Sequence, residues 1–216
     1  MTVFIITFGY DSTRATRPVL THGLGEGDEI VLVQPTGHEE NKRANEARED
    51  VRRMVTELQP KVDVNSLALN PEYFFGSIRR TVERIDTTDD DIVLVLGGGA
   101  RDIYLPVAFA AFVCQSAIDT VLQFSDITGS VSELTIPDFI DPLGESVIET
   151  LRAVVNQEDG ASLTLIANTL GAAKSTVARH VNELEEREFV RSERHGKAKV
   201  VFPTDQGRLA VDIDVL

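Results

Sequence analysis

The chain has little that staples or anchors a protein. It has one cysteine, Cys114, and no tryptophan, and aromatic residues make up 6% of its 216 residues. A single cysteine excludes an internal disulfide framework. The four histidines, His22, His38, His180 and His195, are scattered without metal-ligand spacing, so no structural metal is expected. The longest apolar stretch, Leu105 to Cys114, is far short of the roughly 20 residues that a membrane-spanning helix needs. The first residues carry neither a basic region nor a small-residue cleavage pattern, so the expected location is the cytoplasm, with no membrane partner. Lysine is scarce, 5 against 16 arginines, and basic residues are outnumbered 21 to 35 by carboxylates, a net charge of −14. Such a surplus suits the high-salt cytoplasm of a halophile, the alternative being an ordinary acidic protein. The one locally basic stretch is Lys174 to Lys199, with 7 basic and 5 acidic side chains, net +2, and it raises the question of a polyanionic partner.

The first two thirds alternate strand and helix signals, which predicts an α/β, Rossmann-like, mostly parallel sheet. Strands are expected at Val3–Thr7, Glu29–Val33, Val62–Leu69, Asp91–Leu96, Thr120–Phe124 and Val131–Ile136, the last an antiparallel edge or part of an interdomain connection. Helices are expected at Ser12–His22, with Pro18 tolerated only in its first turn, then Asn41–Leu58, Pro71–Ile85 and Ile103–Ala117. Pro137 and Pro142 among Asp138, Asp141 and Gly144 mark the boundary, giving a larger domain over 1–141 and a small one over 142–216. In the second domain, helices are expected at Glu145–Asn156, from an N-cap at Thr164 to Gly171, from Ala173 or Lys174 to Arg187, and from Thr204 to Val211. Strands Phe189–Arg194 and Lys197–Phe202 join through His195-Gly196. That order is a winged helix-turn-helix.

Two constellations carry chemistry. In a helix-turn-helix the second helix enters the major groove. The stripe Val177, Val181, Leu184 leaves Lys174, Ser175, Thr176, Arg179 and His180 facing outward for double-stranded DNA, with Arg191, Arg194, Lys197 and Lys199 on the hairpin for backbone phosphates or the minor groove. Arg179 suits a bidentate contact to guanine, and Glu183 to Glu188 must face away from DNA. The alternative is a solvated charged helix beside an ordinary hairpin. The second constellation follows from a strand order of 3-2-1-4-5, which sets the loops after strands one and four side by side at the ligand-binding crevice. These are Phe8-Gly9-Tyr10-Asp11-Ser12-Thr13-Arg14 and Gly97-Gly98-Gly99-Ala100-Arg101-Asp102. Consecutive glycines at a helix start let backbone N–H groups face an anion. Arg14 and Arg101 add charge, Tyr10 a face for a nucleobase, and Asp11 and Asp102 cap the helices or orient the arginines. The alternative is a tight turn without a ligand. No G-x-G-x-x-G follows strand one, and strand two ends in Val33-Gln34-Pro35 rather than an acid, which disfavours a nicotinamide dinucleotide.

The stretches Thr7-Phe8-Gly9-Tyr10-Asp11, His22-Gly23-Leu24-Gly25-Glu26-Gly27-Asp28 and Gly97-Gly98-Gly99-Ala100-Arg101, followed by the winged helix, resemble the archaeal CRISPR-associated transcriptional regulators that join an N-terminal CARF domain to a C-terminal winged helix. The resemblance implies a homodimer that binds cyclic oligoadenylate, usually the four-membered ring, across its two-fold axis. It places Gly9 to Arg14 and Gly97 to Asp102 in the ligand pocket. The expected protein is thus a ligand-responsive transcriptional regulator with no metal, no catalytic residues and no cofactor beyond its effector. Two alternatives stand beside it. One is a CARF ring nuclease that cleaves its own ligand, although neither loop holds a histidine or lysine to act as acid or base. The other is a winged-helix regulator sensing an unrelated metabolite.

Overall fold

A computed structural model describes every residue except 140–141, 158, 196–197 and 213–216, and every described side chain except those at 39, 195 and 198. The chain forms two compact units, Met1–Ile136 and Pro137–Leu216.

The first unit is built on strands β1 (Thr2–Thr7), β2 (Glu29–Pro35), β3 (Asp63–Leu69), β4 (Asp91–Leu96), β5 (Thr120–Phe124) and β6 (Val131–Glu133), in the spatial order β3-β2-β1-β4-β5-β6. All pairings are parallel except β5 with β6. The central strands read as unbroken apolar runs because both faces are covered. Alternate residues supply two cores. Val3, Ile5, Val31, Ile92 and Leu94 pack with residues of helices α3 (Phe74–Asp86) and α4 (Arg101–Val113). Phe4, Ile6, Ile30, Leu32 and Val93 pack with residues of α1 (Thr13–His22) and α2 (Lys42–Leu58). The strand order reverses between β1 and β4, which are neighbours in register from Thr2 with Asp91 to Ile6 with Val95. The ends of these two strands form the switch point where such sheets bind ligands.

Several local expectations are corrected. Pro18 lies inside α1, past its first turn, and is buried. A proline there cannot donate to the carbonyl four residues back. That carbonyl, of Arg14, instead lies so close to Gly97 that a Cβ on Gly97 would stand 2.6 Å from it. Helix α4 starts at Arg101 and ends at Val113, with a separate 3₁₀ turn at Gln115–Ala117. β6 is antiparallel and keeps only Val131–Glu133 of the expected strand. The buried Asp28 organises the glycine-rich turn before β2, accepting hydrogen bonds from Gly25 N (2.7 Å) and Thr2 N (2.8 Å).

The second unit contains α5 (Glu145–Val155), β7 (Ala161–Ser162), α6 (Leu163–Leu170), α7 (Lys174–Glu186), β8 (Val190–His195), β9 (Ala198–Pro203) and α8 (Asp205–Asp212), with the sheet ordered β7-β9-β8. α5, α6 and α7 close around Leu151, Ile166, Val177, Val181 and Leu184. This is a winged helix-turn-helix. The N-cap of α6 is Ser162 rather than Thr164: Ser162 Oγ accepts from Leu165 N at 3.1 Å, and this cap begins the helix two residues earlier than its apolar spacing suggests. Thr204 does cap α8, accepting from Gly207 N at 3.1 Å. Of the expected His195-Gly196 turn, His195 is the last residue of β8, and position 196 lies outside the described residues. The compact units divide before Pro137, earlier than a boundary at 141, because the connecting residues pack on the second unit. Arg187 Nε donates to Asp138 Oδ2 at 2.6 Å, and Phe139 stacks on Phe189.

Candidate functional site: a glycine-walled cleft and a reading helix

In the first unit, the expected loops meet more closely than a shared crevice requires. A Cβ on Gly9 would stand 2.9 Å from Gly99 Cα, and one on Gly99 2.7 Å from the Phe8 carbonyl oxygen. Only glycine permits this approach, so part of the glycine pattern serves to seal one loop on the other. The N–H groups of Gly97 and Gly98 donate to Thr7 Oγ1 at 3.0 and 3.2 Å and so are turned into the fold rather than toward an anion. Phe8 and Gly9 are buried, which removes Phe8 from any ligand surface. Asp11 Oδ1 accepts from Thr13 N at 3.0 Å, and its Oδ2 lies 3.4 Å from Arg14 Nε, so this carboxylate both caps α1 and orients the arginine. Ser12 occupies the N-cap position but makes no side-chain cap bond, and Thr13 opens the helix exposed to solvent.

The open space is displaced from the β1/β4 junction toward β5. A cleft of about 360 Å³ is lined by Arg14, Leu96, Gly97, Gly98, Gly99, Arg101, Tyr104 and the segment 123–127. It is within the size range of small-ligand sites, about 300–1,000 Å³. Its two arginines differ. Arg14 Nη1 lies 2.8 Å from Asp126 Oδ1, and its guanidinium rests 6.0 Å from the centre of the Phe124 ring. Arg101 is exposed in the first turn of α4 and has no carboxylate partner among the described residues. Ala100 is the N-cap and Asp102 follows in the first turn, both exposed. The first-turn N–H groups of a helix have no intrahelical acceptor, so Arg101 sits where backbone and side chain both favour an anion. Burial, followed by the Asp126 charge, raises the Tyr104 phenol above its ordinary range and keeps it a hydrogen-bond donor.

Tyr10 lies apart from this cleft. Its hydroxyl is 3.3 Å from both His38 Nε2 and Asn41 Nδ2, its ring is tilted against His38, and Arg43 lies 5.1 Å from its centre. Sequence reasoning missed His38, Asn41 and Arg43 beside Tyr10, and Tyr104, Gln123, Ser125, Asp126 and Ile127 in the cleft. The signal that finds them is the strand order. β2 flanks β1 and β5 flanks β4, so the loops after β2 and β5 border the same sheet edge.

In the second unit, α7 exposes Lys174, Ser175 and Arg179, and Thr176 is half-buried. Neither Lys174 nor Arg179 has a carboxylate partner among the described residues. His180 departs from expectation. It is 5% exposed, and Thr150 Oγ1 lies 2.9 Å from its Nδ1. That hydroxyl also donates to Ser146 O at 2.9 Å, so the His180 Nδ1–H is the donor and the ring braces α7 against α5. Its position three residues after Val177 places it on the inner face, because a core stripe spans more than the i, i+4, i+7 line. On the wing, Arg194 is exposed, whereas Arg191 pairs with Glu193 and lies over Phe202, and Lys199 pairs with Glu185. Lys199 therefore holds the wing to α7 instead of standing free for phosphate, and it neutralises part of the acidic run Glu183 to Glu188. Lys197 lies outside the described residues.

Comparison with known proteins agrees with this division. The Csa3 CRISPR-associated Rossmann-like domain matches residues 2–135, and the IclR helix-turn-helix domain matches residues 148–194. Similar solved structures include AF1382 from Archaeoglobus fulgidus (21% identity over 33% of this chain and 82% of that one, TM-score 0.32). They also include a MarR-family transcriptional regulator from Rhodococcus sp. RHA1 (28%, 34% and 52%, TM-score 0.32) and the MepR–DNA complex of S. aureus (21%, 33% and 61%, TM-score 0.32). The chain spans about half the length of the Rhodococcus regulator it matches. No curated protein matches it. Among the described residues, no helix is long and apolar enough to cross a membrane, and no group of His, Cys, Asp and Glu could hold a metal ion. With its Rossmann-like unit matched from end to end and a DNA-binding type of helix-turn-helix behind it, the chain belongs to the Csa3 CRISPR-associated family.

Proposed function

We propose that this chain is a homodimeric transcriptional regulator of a CRISPR system that binds double-stranded DNA through α7 and the wing and senses cyclic oligoadenylate, the four-membered ring above all, in the cleft after β4. The observation that carries this reading is the unpaired Arg101. In a chain with 35 carboxylates for 21 basic residues, a guanidinium in a cleft with no carboxylate partner among the described residues is kept for an external anion. A phosphodiester fits it, held by the guanidinium and the start of α4.

The second copy belongs on α4. Residues 103–118 carry no charge, and Leu105, Phe109 and Val113 stand exposed on one side of the helix, with Phe74 joining Phe109 to the exposed Phe75 through ring contacts. Two chains of net charge −14 repel, so an uncharged face is where they can associate. Because Arg101 and Tyr104 lie at the start of the same helix, the two clefts would share one axis with a two-fold ring and a palindromic operator. The ligand acts through its differential affinity for two arrangements of the reading helices, and a coupling of about 1–3 kcal/mol changes operator affinity roughly 5- to 150-fold. Ring cleavage has less support: the fold brings His38 to Tyr10, but neither lines the cleft.

Fluorescence anisotropy with a duplex from upstream of the chain's own gene, with and without cyclic tetra-adenylate, tests the proposal. Arg101→Ala is expected to abolish the nucleotide response and leave the bare DNA complex within about 2-fold of wild type. Loss of both, or a response in the variant, overturns a separate sensor site at Arg101.

A further inference from the structure

The cleft contains a group that a site for a bare anion would exclude. Asp126 brings a carboxylate into the wall that also holds Arg14, Arg101, Tyr104 and Gln123. A carboxylate beside a phosphate is repulsive, and the Asp126–Arg14 pair cancels one of the cleft's two cations. The loop does not need that pair for its shape. Ser125 N donates to Ser130 O at 2.9 Å, Gly129 N to Ser125 O at 2.8 Å and Arg17 Nη1 to Gly129 O at 2.5 Å, which fix 125–130 independently of Asp126.

An ionised carboxylate only accepts hydrogen bonds, so in a cleft where the two guanidiniums only donate and Tyr104, Gln123 and Ser125 can do either, it is the strongest acceptor for a donor on the ligand. A phosphodiester of the ribose type has such a donor two carbons away, the 2′-hydroxyl, and one of the deoxyribose type has none. The amine of a base lies on the far side of the sugar from the phosphate, too distant to share so small a cleft with the anion held by Arg101. We infer that Asp126 is the sugar-reading residue of the sensor: it accepts the 2′-hydroxyl of a ribonucleotide whose phosphodiester sits on Arg101, and it quenches Arg14 so that deoxyribose phosphates gain little from the site. The 2′-hydroxyl is what separates RNA from DNA in protein sites generally. A sensor that shares its compartment with DNA gains selectivity from such a carboxylate. The inference rests on the ribonucleotide ligand proposed above.

The test compares cyclic tetra-adenylate with its all-2′-deoxy counterpart by calorimetry on the full chain and on Asp126→Ala, with Asp126→Asn as a shape-conserving second variant. The wild type is expected to prefer the ribose ring by about 10-fold or more, the range of one charge-assisted hydrogen bond. In Asp126→Ala the two affinities move in opposite directions. The ribose ring binds more weakly, the deoxy ring binds about 3- to 10-fold more tightly because Arg14 then keeps Asp11 alone of its two carboxylates and its Nη1 faces the cleft, and the preference collapses. Asp126→Asn falls between. A loop that has merely been disturbed would weaken both rings alike, and that result, or an unchanged ratio, overturns the inference while leaving the ligand assignment standing. Binding of neither ring by the wild type overturns both.

Discussion

In the first unit Arg14 is held between Asp11 and Asp126, the glycine loops close on each other, and Arg101 alone of the cleft's arginines stands without a carboxylate among the described residues. In the second unit Arg191 and Lys199 are tied to Glu193 and Glu185, whereas Lys174 and Arg179 on the exposed face of α7 have no carboxylate partner among the described residues. Both units therefore separate their cations into structural and available ones, by different means. The first unit does it with loops from three strands, and the second by setting the paired cations of the wing strands against the exposed face of one helix. In a chain of net charge −14, no general positive field draws in an anion. The cations without a partner among the described residues mark the candidate sites, and a count of basic residues does not.

The comparison is broken or sharpened most strongly at two adjacent residues of α7. Arg179→Ala is expected to weaken operator binding by about 1–3 kcal/mol per protomer, roughly 5- to 150-fold for each half-site, with stability changed by no more than about 0.5 kcal/mol. His180→Ala is expected to do the reverse: it empties a buried site and removes the brace to Thr150, costing about 2–3 kcal/mol of stability, while DNA affinity at a temperature where the variant is folded falls by no more than about 3-fold. Urea denaturation of the second unit, read beside anisotropy titrations, separates the two. A stability loss for Arg179→Ala, or a DNA-specific loss for His180→Ala, would invert the assignment of the two faces.

What was legible in the sequence divides along similar lines. β1, β2 and β4 announce themselves because a strand buried on both faces must be apolar throughout, and Asp91–Leu96 was bounded to the residue. The common 3-2-1-4-5 order, assumed for such an alternation, holds for the first five strands and puts both glycine loops at one edge. Proximity of loops, however, does not specify the gap between them. Whether Gly9 and Gly99 cradle a ligand or touch each other depends on fractions of an ångström that no pattern encodes. The Asp126 loop was hidden for another reason. Ser125-Asp126-Ile127-Thr128-Gly129 reads as an ordinary hairpin connection, and only the neighbourhood of β5 and β4 turns it into a wall of the cleft. In the second unit β7 was missed because two residues carry no periodicity, and His180 because a three-residue stripe underestimates the width of a buried face.

A smaller effect separates the two kinds of cation on the wing. Each phosphate neutralised contributes about 0.9 to the slope of log affinity against log salt. Arg194→Ala, removing an exposed guanidinium that has no carboxylate partner among the described residues, is expected to flatten the slope by about 1 for each copy of the chain on the duplex. Lys199→Ala should leave the slope nearly unchanged and show itself in a lower thermal midpoint for the wing, since its partner is Glu185. Equal changes in slope for both variants would mean that Lys199 leaves Glu185 for DNA.

The smallest expected effect lies where α7 ends. Glu188 has a φ of +59°, the left-handed conformation, and is the one non-glycine residue so placed among the described residues. It closes the helix: Glu188 N donates to Glu185 O at 3.0 Å and Phe189 N to Leu184 O at 2.9 Å. That position is commonly glycine because a Cβ there costs about 1 kcal/mol. Glu188→Gly relieves the strain at the expense of a freer unfolded chain, and a net gain of about 0.5 kcal/mol is expected as a raised melting temperature. The same substitution removes a carboxylate from the end of the acidic run that follows the reading face. If Glu183 to Glu188 faces away from DNA, operator affinity stays within about 2-fold while stability rises. If affinity rises more than stability accounts for, the carboxylate at 188 lies near phosphate, and the end of α7 approaches the duplex more closely than its pairing pattern implies.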